Sequence, residues 1–151
     1  MTSEQATDII KTHAYLGIVA DQSYPYISRE YNAASYLCRF ENDYANAGWH
    51  ALRSTWKCED THHPMRGVIR QQAIDNFLRA IEHHQTFAPT PSEQHLILAD
   101  LYRRHGEFML AHQYNQHAAQ LHPNDAIRAA LTIQSRAIEE SNLQRLVRPS
   151  I

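Results

Sequence analysis

The sequence predicts an all-α chain of about seven helices, arranged as stacked antiparallel hairpins. Three observations carry this. Glycine and proline together supply only ten of the 151 residues, about half of average usage. Alanine occurs nineteen times and valine three times, a balance that favours helix over strand. Apolar residues recur at three- and four-residue spacing, and no stretch alternates with a period of two. The length suits one domain at roughly 100–200 residues each. Composition marks no boundary, so residues 1–151 read as a single helical domain.

The elements follow in order. Thr2 and Ser3 are caps for a helix from about Glu4 to Asp21, with Ile9, Ile10, His13, Leu16, Gly17 and Ala20 on one face. Pro25 breaks it by pushing its predecessor out of helical geometry. Tyr24 and Tyr26 flank that proline and are expected at the surface. Ser28 reads as the cap of a second helix running to about Glu41. Asn42-Asp43 is a turn pair, and a third helix spans about Tyr44 to Cys58, with Trp49 and Trp56 on one core-facing side. Pro64 suits the first turn of a fourth helix, whose stripe is Ile69, Ala73, Phe77, Ala80 and Ile81. The segment from Gln85 to Pro91 is the clearest loop. Ser92 reads as the cap of a fifth helix ending near His105, with Gly106 as the turn. A sixth helix runs from Glu107 to Leu121 and stops before Pro123. Asn124 caps a seventh, running to about Leu146.

Two stretches share a spacing. Within residues 92–125, Leu98, Ala99, Tyr102, Gly106, Phe108, Ala111, Ala118 and Pro123 stand at positions 7, 8, 11, 15, 17, 20, 27 and 32. In the same register, residues 28–61 place Ala34, Ser35, Cys38, Asn42, Tyr44, Ala47, Ala51 and Ser54 at positions 7, 8, 11, 15, 17, 20, 24 and 27. Small residues at 8, 20 and 27 let two helices approach closely. Residues 62–91 supply only one long helix between the units, in which Ala73, Phe77 and Ala80 keep the second-helix spacing. This pattern resembles the tetratricopeptide repeat, a helix–turn–helix hairpin. The stretch from Gly48 to Tyr114, with ALRSTW and LADLYRRHGEF, also resembles the helical half of an uncharacterised bacterial family. Members of that family usually carry a cysteine-rich, zinc-ribbon-like segment that does not stand in this sequence.

Several function classes are disfavoured. Fourteen basic against sixteen acidic side chains give a formal net charge of −2, without the basic excess of a nucleic-acid binder. No apolar run approaches the ~18 residues of a membrane span. The N-terminal residues lack the basic and apolar regions of a secretory signal. Two cysteines, Cys38 and Cys58, make no disulfide framework, so a reducing cytoplasmic setting is expected. No GxSxG, phosphate loop, GxGxxG or CxxC occurs. Neither catalysis nor a cofactor is expected. Eleven histidines are unusual, but His83-His84 and His105 fall at helix ends, where a cation complements the dipole.

The tetratricopeptide resemblance implies a right-handed array with the last helix as cap. It also implies that the first helix of each hairpin lines a concave groove. Carried over residue by residue, the groove takes Arg29, Asn32, Tyr36, Arg39 and Phe40 from the first unit. From the second it takes Glu93, Leu96, Asp100, Arg103 and Arg104. Arginine forks bind carboxylates bidentately, so an acidic peptide segment or a chain terminus is the expected ligand. Internal pairing with Asp100, Glu93 or Glu107 is the competing reading. The leading expectation is a non-enzymatic protein-interaction module. One alternative is a metal-binding protein using Cys58, His62 and His63, a C-x3-H-H cluster without an obvious fourth ligand. The other is a self-assembling helical subunit that forms a homodimer.

Overall fold

The computed structural model describes residues 2, 4, 5, 8, 12–22 and 24–141. Among these the chain is all-α, with seven helices packed in consecutive pairs. It divides into two compact units, 1–87 and 88–151, at the loop before Pro91. The first unit holds α1 (His13–Ala20), α2 (Tyr26–Phe40), α3 (Tyr44–Asp60) and α4 (Arg66–Glu82). The second holds α5 (Pro91–Arg104), α6 (Phe108–Gln120) and α7 (Asp125–Glu139). The expected roles of Ser3, Ile9 and Ile10 lie outside the described residues. The last helix, expected to run to about Leu146, ends at Glu139, where Glu140 is the cap and Ser141 turns left-handed.

The helix starts correct three expectations. Thr2 and Gln5 bond reciprocally at 2.9 and 3.1 Å, as a capping box does. A new start follows at Thr12, whose hydroxyl accepts from the Tyr15 N–H at 3.2 Å, so the expected continuous first helix is interrupted. Ser28 and Ser92 are not caps. α2 enters through Pro25, and α5 is capped by Thr90, which accepts from the Glu93 N–H with Pro91 in the first turn. Both serines instead lie inside their helices, fully buried. Ser28 Oγ donates to the Ser54 carbonyl at 3.2 Å, and Ser92 Oγ donates to the Ala118 carbonyl at 2.8 Å. These are the same register positions in the two hairpins. Ser35 adds a tie to the Ala47 carbonyl at 2.8 Å. The partner number falls as the serine number rises, which is the mark of an antiparallel pair. Asn124 caps α7 as expected, accepting from Ile127 N–H at 2.9 Å.

Six of the seven helix ends share one device, and α1 ends instead on the extended Asp21. Asn42, His62, His84, Gly106, His122 and Ser141 all have positive φ, between 51° and 83°. At four of them the next N–H reaches back five residues: Asp43 to Cys38, His63 to Cys58, Gln85 to Ala80 and Glu107 to Tyr102, at 2.7–2.9 Å. This is the Schellman closure, which satisfies carbonyls that a helix end leaves open. Asn and His tolerate this backbone better than most side chains. Three of the eleven histidines are thereby explained as backbone chemistry in a glycine-poor chain.

The first unit is closed by α3 and α4. Ala47 and Ala51 of α3 and Ile69, Ala73, Ile74, Phe77 and Ala80 of α4 are fully buried. Gly48 is the point of closest approach. A Cβ there would stand 2.6 Å from two ring carbons of Phe77. That ring is held by Phe87 at 4.3 Å and by the edge of Trp49 at 5.9 Å. Trp49 Nε1 donates to the Phe87 carbonyl at 2.7 Å. Gln85 accepts from the N–H groups of Tyr44 and Ala45 at 2.8 and 3.1 Å, covering the start of α3. Arg70 and Glu59 form a mostly buried ion pair at 2.7 Å between α4 and α3. Tyr24, expected at the surface, is buried and stacks on His63 at 6.3 Å, while Tyr26 is exposed. The two sides of Pro25 therefore differ, because only Tyr24 points back under the turn between α3 and α4.

Two predictions follow from this packing. Gly48→Ala gains helix propensity of ~1 kcal/mol but forces a methyl into the Phe77 ring. A net loss of about 1–2 kcal/mol in urea unfolding is expected, and Phe77→Leu in the same chain recovers part of it. Additive losses would show that the two residues do not meet. The second concerns His50, which stacks near Tyr31. Burial, then the Arg53 charge, pushes its imidazole below its ordinary range. The folded state therefore binds fewer protons there. The stability His50 contributes is complete above about pH 6.5 and is lost as pH falls through its lower folded value. His50→Gln flattens that part of the stability profile between neutral pH and about pH 5; identical profiles in the two proteins would refute the assignment.

Candidate functional site

The exposed flank of α2 forms the site. Asn32, Ser35, Tyr36 and Arg39 line a pocket of about 200 Å³, completed by Ile18, Asp21 and Tyr24 on one side and Gln72 of α4 on the other. A second pocket of about 300 Å³ is lined by Tyr36, Arg39, Phe40, Tyr44 and Arg79. Tyr36 and Arg39 belong to both, so the two pockets form one groove along α2. Four of the five residues expected from the first hairpin are thus brought together. Arg29 is not among the lining residues; its guanidinium lies over the Tyr26 ring at 5.3 Å.

The groove has a polar half and a cationic, aromatic half. Tyr24 stays protonated well past neutrality, because burial and then Asp21 push its phenol up. Asn32 Oδ1 is buried without a hydrogen-bond partner. In the other half, Tyr36 and Phe40 meet edge to face at 5.0 Å, and Phe40 is 55% exposed. Arg79 lies over the Tyr44 ring at 5.7 Å. Neither Arg39 nor Arg79 makes an ion pair among the described residues. Arg79 was invisible to the repeat register, since the register leaves α4 without a matching first helix, and Tyr44 stands in the register at position 17, outside the groove positions. The available signal was that Arg79 adjoins the buried Ala73, Phe77 and Ala80 stripe.

The second hairpin corrects the rest of the expected site. Arg103 is fully buried and Arg104 nearly so. Arg103 donates from Nε to Gln134 at 3.0 Å and from Nη2 to Asp100 at 2.7 Å, and Arg104 donates to the other Asp100 oxygen at 2.8 Å. The competing reading, internal pairing with Asp100, is the one realised. The reason is α7, which packs on both α5 and α6 and extends Gln134 to Arg103 and to the Leu96 carbonyl. In the first unit the corresponding third helix, α4, rests chiefly on α3.

Cys58, His62 and His63 do not form a metal centre. Among the described residues, no group of three or more His, Cys, Asp or Glu side chains could hold an ion. Cys58 is fully buried, 3.5 Å from Ser28 Oγ. His62 is exposed at a left-handed turn. His63 Nδ1 accepts from the Met65 N–H at 3.2 Å. The thiols are poor nucleophiles, because burial pushes both Cys38 and Cys58 up and the thiolate is the reactive form. No helix among the described residues is long and apolar enough to cross a membrane.

The contrast between the arginines has a direct consequence for stability. Arg103→Ala removes a buried charge from its partners and should cost about 3 kcal/mol in chemical denaturation. Arg39→Ala should change stability by less than about 0.5 kcal/mol, as surface changes do. Equal costs would contradict the placement of one inside and the other outside. Comparison of this chain with family models, curated proteins and solved structures finds no match.

Proposed function

We propose that this protein is a non-enzymatic interaction module with tetratricopeptide-like hairpins, and that its α2 groove holds an acidic segment of a partner protein. One observation carries the reading. Arg39 and Arg103 occupy the same register position, since each stands eleven residues after its interhelix serine. Arg103 is neutralised by Asp100, three residues earlier on its own helix. At the matching place before Arg39 stands Tyr36. Arg39 therefore lacks the same-helix anion that Arg103 has, on a face that is exposed. An anion from a partner supplies what Asp100 supplies in the other hairpin. Charge-assisted pairs of this kind are the stronger hydrogen bonds, and the surrounding rings raise their worth by excluding water.

The tetratricopeptide resemblance is supported by the repeated serine ties and by the left-handed turns at Asn42 and Gly106. The reading is tested by fluorescence anisotropy with a labelled octapeptide containing one glutamate among leucines and glycines. Its lysine-for-glutamate twin is the control. The acidic peptide should bind, the basic one should not, and Arg39→Ala should weaken binding by about tenfold, or roughly 1.4 kcal/mol. Unchanged binding by the Arg39→Ala protein would sink the proposal.

A further inference from the structure

The groove's cationic half is specific enough to name the anion. We infer that the Arg39–Arg79 pocket accepts a phosphate monoester carried by a phosphorylated partner segment. This rests on the groove being the partner site. Arg39 and Arg79 line the same pocket, and no carboxylate lines it with them. A single carboxylate would neutralise only one of two guanidinium groups. A phosphate monoester carries about −1.5 to −2 at pH 7 and three acceptor oxygens, so it matches two planar forks at once.

The pocket is also built to keep this arrangement. Tyr44 is pinned at both ends: its N–H donates to Gln85 at 2.8 Å and its hydroxyl donates to Asn42 Oδ1 at 3.2 Å. Its ring carries Arg79 at 5.7 Å. Stacking occupies the face of the guanidinium and leaves its N–H edge for an anion. Tyr36 and Phe40 form an apolar wall for the side chain that bears the phosphate. The neighbouring pocket sets a limit on the ligand. It carries Asp21 beside Asn32 and Gln72, so it repels a second acidic group and offers amides to a peptide backbone. One dianion followed by neutral chain fits both halves; an unbroken run of acids does not.

The test compares four probes on the intact protein by anisotropy. They are a labelled octapeptide with one phosphoserine flanked by leucine and glycine, its glutamate twin, its unmodified serine parent, and inorganic phosphate as competitor. The phosphopeptide should bind about tenfold more tightly than the glutamate twin. Arg79→Gln should abolish that preference, and the preference should shrink as pH falls through about 6, where the phosphate takes up a proton. Equal, Arg39-dependent binding of the phosphoserine and glutamate peptides would overturn the phosphate assignment and leave the acidic groove standing. Displacement by inorganic phosphate at the peptide's own concentration would make the ligand a free ion and overturn the assignment to a protein segment. Binding of none of the peptides would overturn the groove reading itself. Arg79 is exposed, so its substitution leaves the fold intact for the comparison.

Discussion

A serine hydroxyl reaches a carbonyl on the neighbouring helix only when the two backbones lie close together. Ser28, Ser35 and Ser92 all do so, at 2.8–3.2 Å. That spacing is what demands alanine, serine or glycine at the points of closest approach, and it sets the register of each hairpin. A larger side chain at any of these places would push the helices apart and leave the buried hydroxyl unpaired. Such a loss costs more than the net value of the bond, because the desolvated donor finds no water. Packing and polar satisfaction therefore select the same small residues.

Close pairing also constrains the chain's turns. A short connection between antiparallel helices must reverse direction within a few residues, and a left-handed residue accomplishes this between α2 and α3, α3 and α4, α5 and α6, and α6 and α7. Glycine does so without strain at Gly106. Asn42, His62 and His122 do so with a side chain, at some conformational cost. Pro123 follows His122 and has no N–H to complete the closure, so that end relies on the proline to stop the helix.

Much of this was legible in the sequence because it is local. Low glycine and proline, alanine at close-packing points and the turn at Gly106 predict the helices and their pairing. The serine caps were misread because a serine ahead of an apolar run carries the same local signal whether it caps its own helix or ties to another. The partner carbonyl lies 26 residues away, beyond any local pattern. Arg103 and Arg39 were indistinguishable for a similar reason: both occupy the groove-facing register. Whether that face is open depends on where the third helix settles. Asp100 beside Arg103 and Tyr36 before Arg39 held the difference in plain view, but its meaning required knowing which face is covered.

The position of the third helix traces back to one residue type. Gly48 lets the Phe77 ring lie where a Cβ would stand, so α4 can settle deeply on α3. With α4 committed there, the flank of α2 is left for Tyr36, Arg39 and Phe40 to line with Arg79. In the second hairpin the matching residue on α6 is His112, which is exposed. There α7 packs on both α6 and α5. Gln134 and Asp100 then complete a buried polar network around Arg103. The same hairpin thus yields a sealed core in one unit and a lined groove in the other. The close approach at Gly48 seats α4 on α3, and these two helices bring Tyr44 and Arg79 to the groove beside α2.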